Sequence, residues 1–432
     1  MECSSESFSS QISAFLGSQT IASSDNEAYF TPTAEIVGFD ALGNNWSLSI
    51  QEDLFIGIPN LGLVVQLPYT QTDLQTENII SNSDSNIAYG TSVSFQTGSN
   101  SSYLFVSAPR SRQNSWQEGS VFILSEDGST EQTTITGTTV QEQFGDRLHK
   151  CADLDGDNIE DLLIASSLFG GSLSNEENAA LTGRIYVAKS EQWASFNSTV
   201  SADQFPTIEG ESIGARLGHD ARCIHDVDGD DRTDIIISSP FADSSTLDAS
   251  GVIYVLPKDD PSIENAIFRL QGTTSNTWLG WSVATGDFDG DKHIDIAAGA
   301  PGAHNGLGSV FLWRGIDLLE RQTAPSIEIR SEATKIGTKV QFGDINGDDF
   351  ADLFIAEPQG TSPLHTTTGS GLTHVFLGRA DESIYSGLQT LEIADFHFSI
   401  PISGATFGRE IFFSDLNADG IDDVIFVHNA TR

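Results

Sequence analysis

The sequence has few basic residues, very little cysteine and no long apolar run. Against 61 Asp and Glu stand only 20 Lys and Arg, a net charge of −41 over 432 residues. Such a field repels a nucleic-acid duplex or an anionic membrane surface, and no basic patch offsets it. No stretch approaches the roughly 18 consecutive apolar residues of a membrane-spanning helix. The start, Met-Glu-Cys-Ser-Ser-Glu-Ser, lacks the apolar core of a secretion signal. With one Met in the chain, the sequence reads either as not classically secreted or as the mature or partial form of something longer.

Cys3, Cys151 and Cys223 are the only cysteines, too few for a disulfide framework. Cys151 and Cys223 sit just before similar acidic segments, but at offsets that differ by one residue. Within a strand that points them to opposite faces. Two small core residues are therefore the favoured reading and a bridge the alternative. Catalytic signatures are also missing. The nine His (149, 219, 225, 293, 304, 365, 374, 397 and 428) are isolated, without zinc-ligand spacing. There is no Gly-x-Ser-x-Gly elbow, phosphate-binding Gly-Lys-Ser loop or Cys/His nucleophile pair.

What the chain has instead is a nine-residue acidic loop, repeated five times. The copies span 153–161, 226–234, 287–295, 344–352 and 415–423. Positions 1, 3, 5 and 9 carry Asp153, Asp155, Asp157 and Asp161; Asp226, Asp228, Asp230 and Asp234; and Asp287, Asp289, Asp291 and Asp295. In the last two copies they carry Asp344, Asn346, Asp348 and Asp352, then Asp415, Asn417, Asp419 and Asp423. Carboxylates this dense repel one another unless a cation lies between them. Hard oxygen donors without Cys or placed His point to Ca2+, up to five ions. Position 7 would add its backbone carbonyl, from Ile159, Arg232, His293, Phe350 and Ile421, which explains its varied side chains. An EF-hand is excluded: it needs Gly at position 6, Glu at position 12 and flanking helices, whereas four of these loops have Gly at position 4 and apolar residues such as Ile164 and Ile237 at position 12. Turn propensity alone explains one Asp-Gly loop, but not five in the same register. The ions are expected to be structural staples. Five of them would reduce the net charge to about −31.

Aligned on the loops, the chain shows a longer unit. An apolar residue followed by Gly precedes each loop: Phe144-Gly145, Leu217-Gly218, Leu279-Gly280, Ile336-Gly337 and Phe407-Gly408. A near-continuous apolar run follows each loop, as in Ile235-Ile-Ile-Ser-Ser-Pro240 and Asp295-Ile-Ala-Ala-Gly-Ala-Pro301, as a strand buried on both faces requires. A Gly-led alternating strand comes next, such as Gly251-Val-Ile-Tyr-Val-Leu256, and then a more polar fourth strand such as Ser326-Ile-Glu-Ile-Arg330. Each unit reads as a four-stranded antiparallel meander with no helix signal between strands. Two earlier units, around Asp53–Pro59 and Tyr103–Pro109, share the pattern without the carboxylates.

The expected fold is all-β: a seven-bladed β-propeller of four-stranded antiparallel blades. Blades are expected at 35–87, 88–142, 143–214, 215–277, 278–334 and 335–404, with 405–432 as the first strands of the seventh. Residues 8–34 contain Gln11-Ile-Ser-Ala-Phe-Leu-Gly17, which matches the third-strand pattern Thr373-His-Val-Phe-Leu-Gly378. They are expected to complete the last blade.

Apolar-Gly, then the Asp loop, then Gly-Ala-Pro resembles the FG-GAP repeat, over essentially the whole chain from about residue 35. The resemblance implies a calcium-binding propeller like the heads of integrin alpha subunits, or like the C-terminal propeller of glycosylphosphatidylinositol-specific phospholipase D. Integrin heads carry calcium loops in their later blades, which fits the two loop-less units at the start here. They also use more disulfides than three Cys permit, and are followed by a leg and a membrane span that this chain lacks. The phospholipase's zinc-binding catalytic region has no counterpart in these residues. Sequons at Asn45, Asn100, Asn197 and Asn429 agree with an extracellular or cell-surface glycoprotein, where millimolar calcium fills weak sites. The expected function is adhesion, or binding of a protein or glycan partner. The alternative is the non-catalytic propeller of a phospholipase D-like enzyme that hydrolyses lipid anchors. A third reading, an enzyme with its site in a central channel, has no polar cluster on the inner strands to support it. Ligand contacts are expected on the long connections Phe169–Leu181, Phe241–Ser250, Gln359–Gly371 and Glu191–Glu211.

Overall fold

A computed structural model describes residues 9–15, 29–30, 34–39, 47–50, 53–59, 62–68, 78–82, 87–97, 102–112, 117–170, 181–193, 199–244, 246–332, 334–361, 369–380, 387–400, 402–415 and 419–430. Strands dominate them, in seven sheets. The chain divides into two compact units, one of residues 1–42, 227–229 and 276–432, the other of 43–226 and 230–275.

In the second of these units, the first sheet is a meander of Ser47–Ile50, Asp53–Ile58, Leu63–Pro68 and Asn78–Ser81. The next repeats the order with Val93–Thr97, Ser102–Ala108, Ser120–Ser125 and Glu131–Thr136. The third and fourth hold Arg147–Lys150, Leu162–Ser166, Arg184–Ala188 and Thr207–Glu209, then Ala221–His225, Thr233–Ser239, Val252–Pro257 and Phe268–Gln271. In the other unit, Val283–Gly286, Asp295–Ala300, Ser309–Trp313 and Ile327–Arg330 form one sheet. Val340–Gly343, Asp352–Glu357, Leu372–Phe376 and Phe396–Phe398 form the next. The second strand is the most deeply buried: all five residues of Leu162–Ser166 and all six of Asp295–Ala300 and Asp352–Glu357 are buried. Their near-continuous apolar sequence is what that position demands.

The seventh sheet joins the two ends of the chain. Its order is Ala34–Phe39, Ser9–Phe15, Asp423–Ala430 and Glu410–Ser414. Ser9–Phe15 runs antiparallel to the C-terminal strand, with Ser9 opposite Ala430 and Phe15 opposite Val424. The N-terminal contribution reaches Phe39, past residue 34. The C-terminal strand thus has an antiparallel neighbour on each side, Ser9–Phe15 and Glu410–Ser414.

Three sheets also gain a fifth, parallel strand that the meander pattern does not foresee. Val200–Ser201 pairs with Glu131–Thr136, Gly387–Thr390 with Ile327–Arg330, and Tyr29–Phe30 with Phe396–Phe398. Each comes from the connection between the third and fourth strands of the following sheet and covers an edge that would otherwise be unpaired.

Successive sheets meet at glycine. A Cβ on Gly119 would lie 2.3 Å from the Phe144 backbone nitrogen, and one on Gly183 2.2 Å from that of Leu217. Both glycines form isolated bridges to those residues. Only glycine lets the start of a third strand approach the next unit's backbone so closely. The apolar residues on the far side of that contact, Phe144 and Leu217, are fully buried.

Cys151 and Cys223 form a disulfide, with Cα atoms 4.8 Å apart. This overturns the preference for two separate core residues. Alternation decides which face of one sheet a residue occupies, but these residues stand on two sheets that face each other, so opposite faces are the ones that meet. Cys151 also lies just beyond Arg147–Lys150, outside the strict alternation of that strand. Both cysteines pack against one core with Leu163, Val187, Ile235 and Tyr254.

Short helices also occur where none was foreseen. Ser190–Trp193 and Gly315–Leu319 follow the ends of third strands, and their first N–H groups are satisfied by the acidic loops.

Candidate metal centres

Each acidic loop connects a first strand to a second strand and folds on its own carboxylates. Position 1 accepts backbone N–H bonds from the middle of the loop. Asp153 takes them from Gly156 at 2.5 Å and Asn158 at 2.8 Å; Asp287 takes them from Gly290 at 2.7 Å and Lys292 at 2.9 Å. Asp226, Asp344 and Asp415 likewise accept the N–H of position 6, from Asp231 at 2.8 Å, Asp349 at 2.9 Å and Gly420 at 2.8 Å. Glycine at position 4 holds a positive φ, +87° at Gly156 and +74° at Gly290, a conformation it adopts without steric cost. In all five loops the N–H of position 7 (Ile159, Arg232, His293, Phe350, Ile421) donates to the carboxylate of position 5 at 2.8 to 3.1 Å. That backbone pairing is indifferent to the side chain, which is why position 7 varies. The Arg232 carbonyl itself accepts the Asp226 N–H at 2.8 Å.

Position 9 is the most buried. Asp161, Asp295, Asp352 and Asp423 are fully buried and Asp234 nearly so. One oxygen of Asp161, Asp295 and Asp352 accepts the N–H of position 2 in the same loop, from Leu154, Phe288 and Ile345. The other accepts an N–H just past the end of the third strand, from Ser190 at 2.7 Å, Gly315 at 2.7 Å and Gly378 at 2.9 Å. These last contacts are not visible in the loop motif, because the donors lie 20 to 29 residues downstream. Ser190 adds a second link through its hydroxyl, which donates to Asp157 at 2.7 Å.

Among the described residues, carboxylate oxygens converge in three groups: Asp153, Asp155 and Asp161; Asp226, Asp228 and Asp230; and Asp287, Asp289 and Asp291. Within each group one oxygen from every residue lies within 4.8 Å of the others. In the fourth loop Asn346 stands at position 3, and its amide donates to Asp348 at 3.0 Å. Asn417 of the fifth loop lies outside the described residues, as do the sequons at Asn45, Asn100 and Asn197.

The electrostatics match an incomplete charge balance. Burial and the neighbouring Asp157 charge raise Asp155. Burial pushes Asp161 up to about 6, against the pull of the Ser190 and Leu154 N–H groups. It pushes Asp352 to about 7 and Asp295 to about 8, with Asp348 and Asp289 adding to the rise. Asp153 goes the other way, because its burial is outweighed by hydrogen bonds from Asn158, Gly156 and Asp157. Asp155 Oδ2 is buried and accepts no hydrogen bond. Converging hard oxygens, mutual repulsion and an unsatisfied buried carboxylate oxygen fit a divalent hard cation.

Known proteins share the repeat. The FG-GAP repeat is recognised over residues 279–313 and 336–376, each span starting at an apolar-Gly pair, crossing an acidic loop and ending in a third strand. The phosphatidylinositol-glycan-specific phospholipase D of Dictyostelium discoideum is 27% identical over 235 residues, covering 48% of this chain and 24% of that protein. Integrin alpha-V of Gallus gallus is 30% identical over 188 residues, covering 40% of this chain and 16% of that protein. Integrin alpha-E of Mus musculus is 29% identical over 202 residues, covering 40% and 17%. The matches thus span a quarter or less of the length of these relatives. Among the described residues no helix is long and apolar enough to cross a membrane. The chain carries FG-GAP repeats, and its homologues include integrin alpha chains and phosphatidylinositol-glycan-specific phospholipase D.

Proposed function

We propose that the seven sheets are the blades of an FG-GAP β-propeller, that the five acidic loops bind Ca2+ as structural staples, and that the module works as an extracellular or cell-surface adhesion domain for a protein or glycan partner. The observation that carries the calcium reading is the convergence of carboxylate oxygens within 4.8 Å in three loops of identical spacing. Positions 1, 3, 5 and 9 would supply the side-chain ligands and position 7 its carbonyl. The ion would supply positive charge only. The chain's own residues do the rest: position 1 shapes the turn, and position 9 ties the loop to the end of the third strand.

An extracellular setting is supported by the Cys151–Cys223 disulfide, because such bonds persist in oxidising compartments. The likeness to integrin alpha chains favours adhesion. The likeness to the Dictyostelium phospholipase, over 48% of this chain, supports a second reading as the non-catalytic propeller of an enzyme of that kind.

Thermal unfolding with millimolar calcium and with a chelator tests the staple. A midpoint that falls on chelation supports it; an unchanged midpoint refutes it. Screening the calcium-loaded protein against immobilised glycans and extracellular matrix proteins tests the adhesion reading, which fails if saturating calcium yields no binding.

A further inference from the structure

Three of the acidic loops are bonded to one another. In each case position 8 of one loop reaches position 1 of the loop before it. The Ala351 N–H donates to the Asp287 carbonyl at 2.8 Å, and the Asp422 N–H to the Asp344 carbonyl at 2.9 Å. The second link is doubled, because the Asp344 N–H donates back to the Asp422 carboxylate at 3.1 Å. Both backbone polar groups of Asp344, the first residue of the fourth loop, are thus held by one residue of the fifth.

The residue before position 1 shows how close this approach is. A Cβ on Gly343 would lie 2.4 Å from the Phe413 ring, and one on Gly286 2.6 Å from the Ala351 Cβ. The same clamp recurs at a unit without an acidic loop. The Glu160 carboxylate, at position 8 of the first loop, accepts the Thr97 N–H at 3.1 Å and its hydroxyl at 3.0 Å. A carboxylate at position 8 is therefore used twice to fix the chain where a preceding loop begins.

Asp344 in turn shapes its own loop, accepting N–H bonds from Gly347 at 2.7 Å and Asp349 at 2.9 Å. We propose that Asp422 is a positioning residue for cation binding at the loop 344–352, so that this site is coupled to the fifth loop through a carboxylate that ligates neither ion. The proposal rests on the reading of the loops as calcium sites. It adds that occupancy of the fourth loop depends on a residue of its neighbour. Ligand precision of this kind is set by the residues that hold the ligands.

The test is calorimetric titration of the intact, chelator-stripped protein with calcium. Asp422→Ala, which places there the residue that the fourth loop carries at position 8, removes the acceptor. Asp422→Asn keeps one. To separate effects on the fifth site, both are also made in an Asp415→Ala background. The expected result is that Asp422→Ala weakens one remaining site about fivefold, as the loss of a single hydrogen bond should, and that Asp422→Asn restores it. With Asp344→Ala added, Asp422→Ala should have no further effect. Equal affinities for Asp422→Ala and wild type, or equal weakening by Asn and Ala, would overturn the coupling while leaving the calcium reading intact. Absence of any calcium binding by the wild type would overturn both. Should Asp422→Ala fail to fold, Asp422→Ile carries the same expectation, since it also lacks an acceptor and the third loop has Ile294 at this position.

Discussion

The loops at 153–161 and 226–234 and those at 287–295, 344–352 and 415–423 share one motif but are joined by different means. Upstream of the first two, a disulfide links Cys151 and Cys223, two and three residues before the loops begin. In the other three, position 8 of one loop is hydrogen-bonded to position 1 of the loop before, and glycine at 286 and 343 makes room for the contact. The first arrangement constrains the unfolded chain and does not depend on any cation. The second is built from the loops themselves, so it depends on how well they are formed. Stability in the first pair should therefore respond to redox state, and in the other three to calcium.

Removing calcium should have the largest effect. A site held at a thousand times its dissociation constant contributes about 4 kcal/mol, so chelation should lower the unfolding midpoint strongly. Hydrogen exchange should locate most of the loosening at 287–295, 344–352 and 415–423. Equal loosening at 153–161 would erase the contrast between the two groups. Reducing the disulfide, or replacing both cysteines by Ala, should cost about 4 kcal/mol, since the bond closes a loop of 72 residues. That loss should be as large with calcium as without it, and a loss seen only in chelator would tie the disulfide to the ions instead. Gly343→Ala comes next. It forces a methyl group into the Phe413 ring and should cost about 1 to 3 kcal/mol. The same change at Gly156, where a Cβ meets nothing within 4 Å, should cost less and only through its positive φ; denaturant unfolding of the two variants compares them.

The smallest effect is a proton signature. Without cation, burial holds Asp161, Asp352 and Asp295 at about 6, 7 and 8, above the roughly 4 of an unfolded carboxylate. The folded state then binds the extra protons, so these groups favour folding at acidic pH. That contribution is lost as pH rises through 6 to 8. Calcium needs the ionised forms, so adding it to chelator-free apoprotein at pH 7 should release protons, measurable by pH-stat. No release would mean that these carboxylates are already ionised and that the buried position contributes nothing to the linkage.

Much of this organisation is legible in the sequence. Five copies of one spacing locate the loops, and the apolar runs after them locate the buried second strands, because both patterns are local. The short parallel edge strands escape such a reading: Val200–Ser201 has two residues and Gly387–Thr390 a single apolar side chain, Leu388. The disulfide is hidden for another reason. Strand alternation describes one sheet, whereas Cys151 and Cys223 meet across two. The partners of position 9 are equally invisible, since Ser190, Gly315 and Gly378 contribute only backbone N–H groups. Position 8 reads as variable (Glu160, Thr233, Ile294, Ala351, Asp422), and its role emerges only once a neighbouring loop lies against it.

On the reading proposed above, the acidic loops hold calcium. Metal analysis of the protein after dialysis against millimolar calcium, followed by removal of free ion, measures it most directly. Several ions per chain are expected, up to five, with one lost for each position-1 Asp replaced by Ala. A chain that retains no calcium would contradict it.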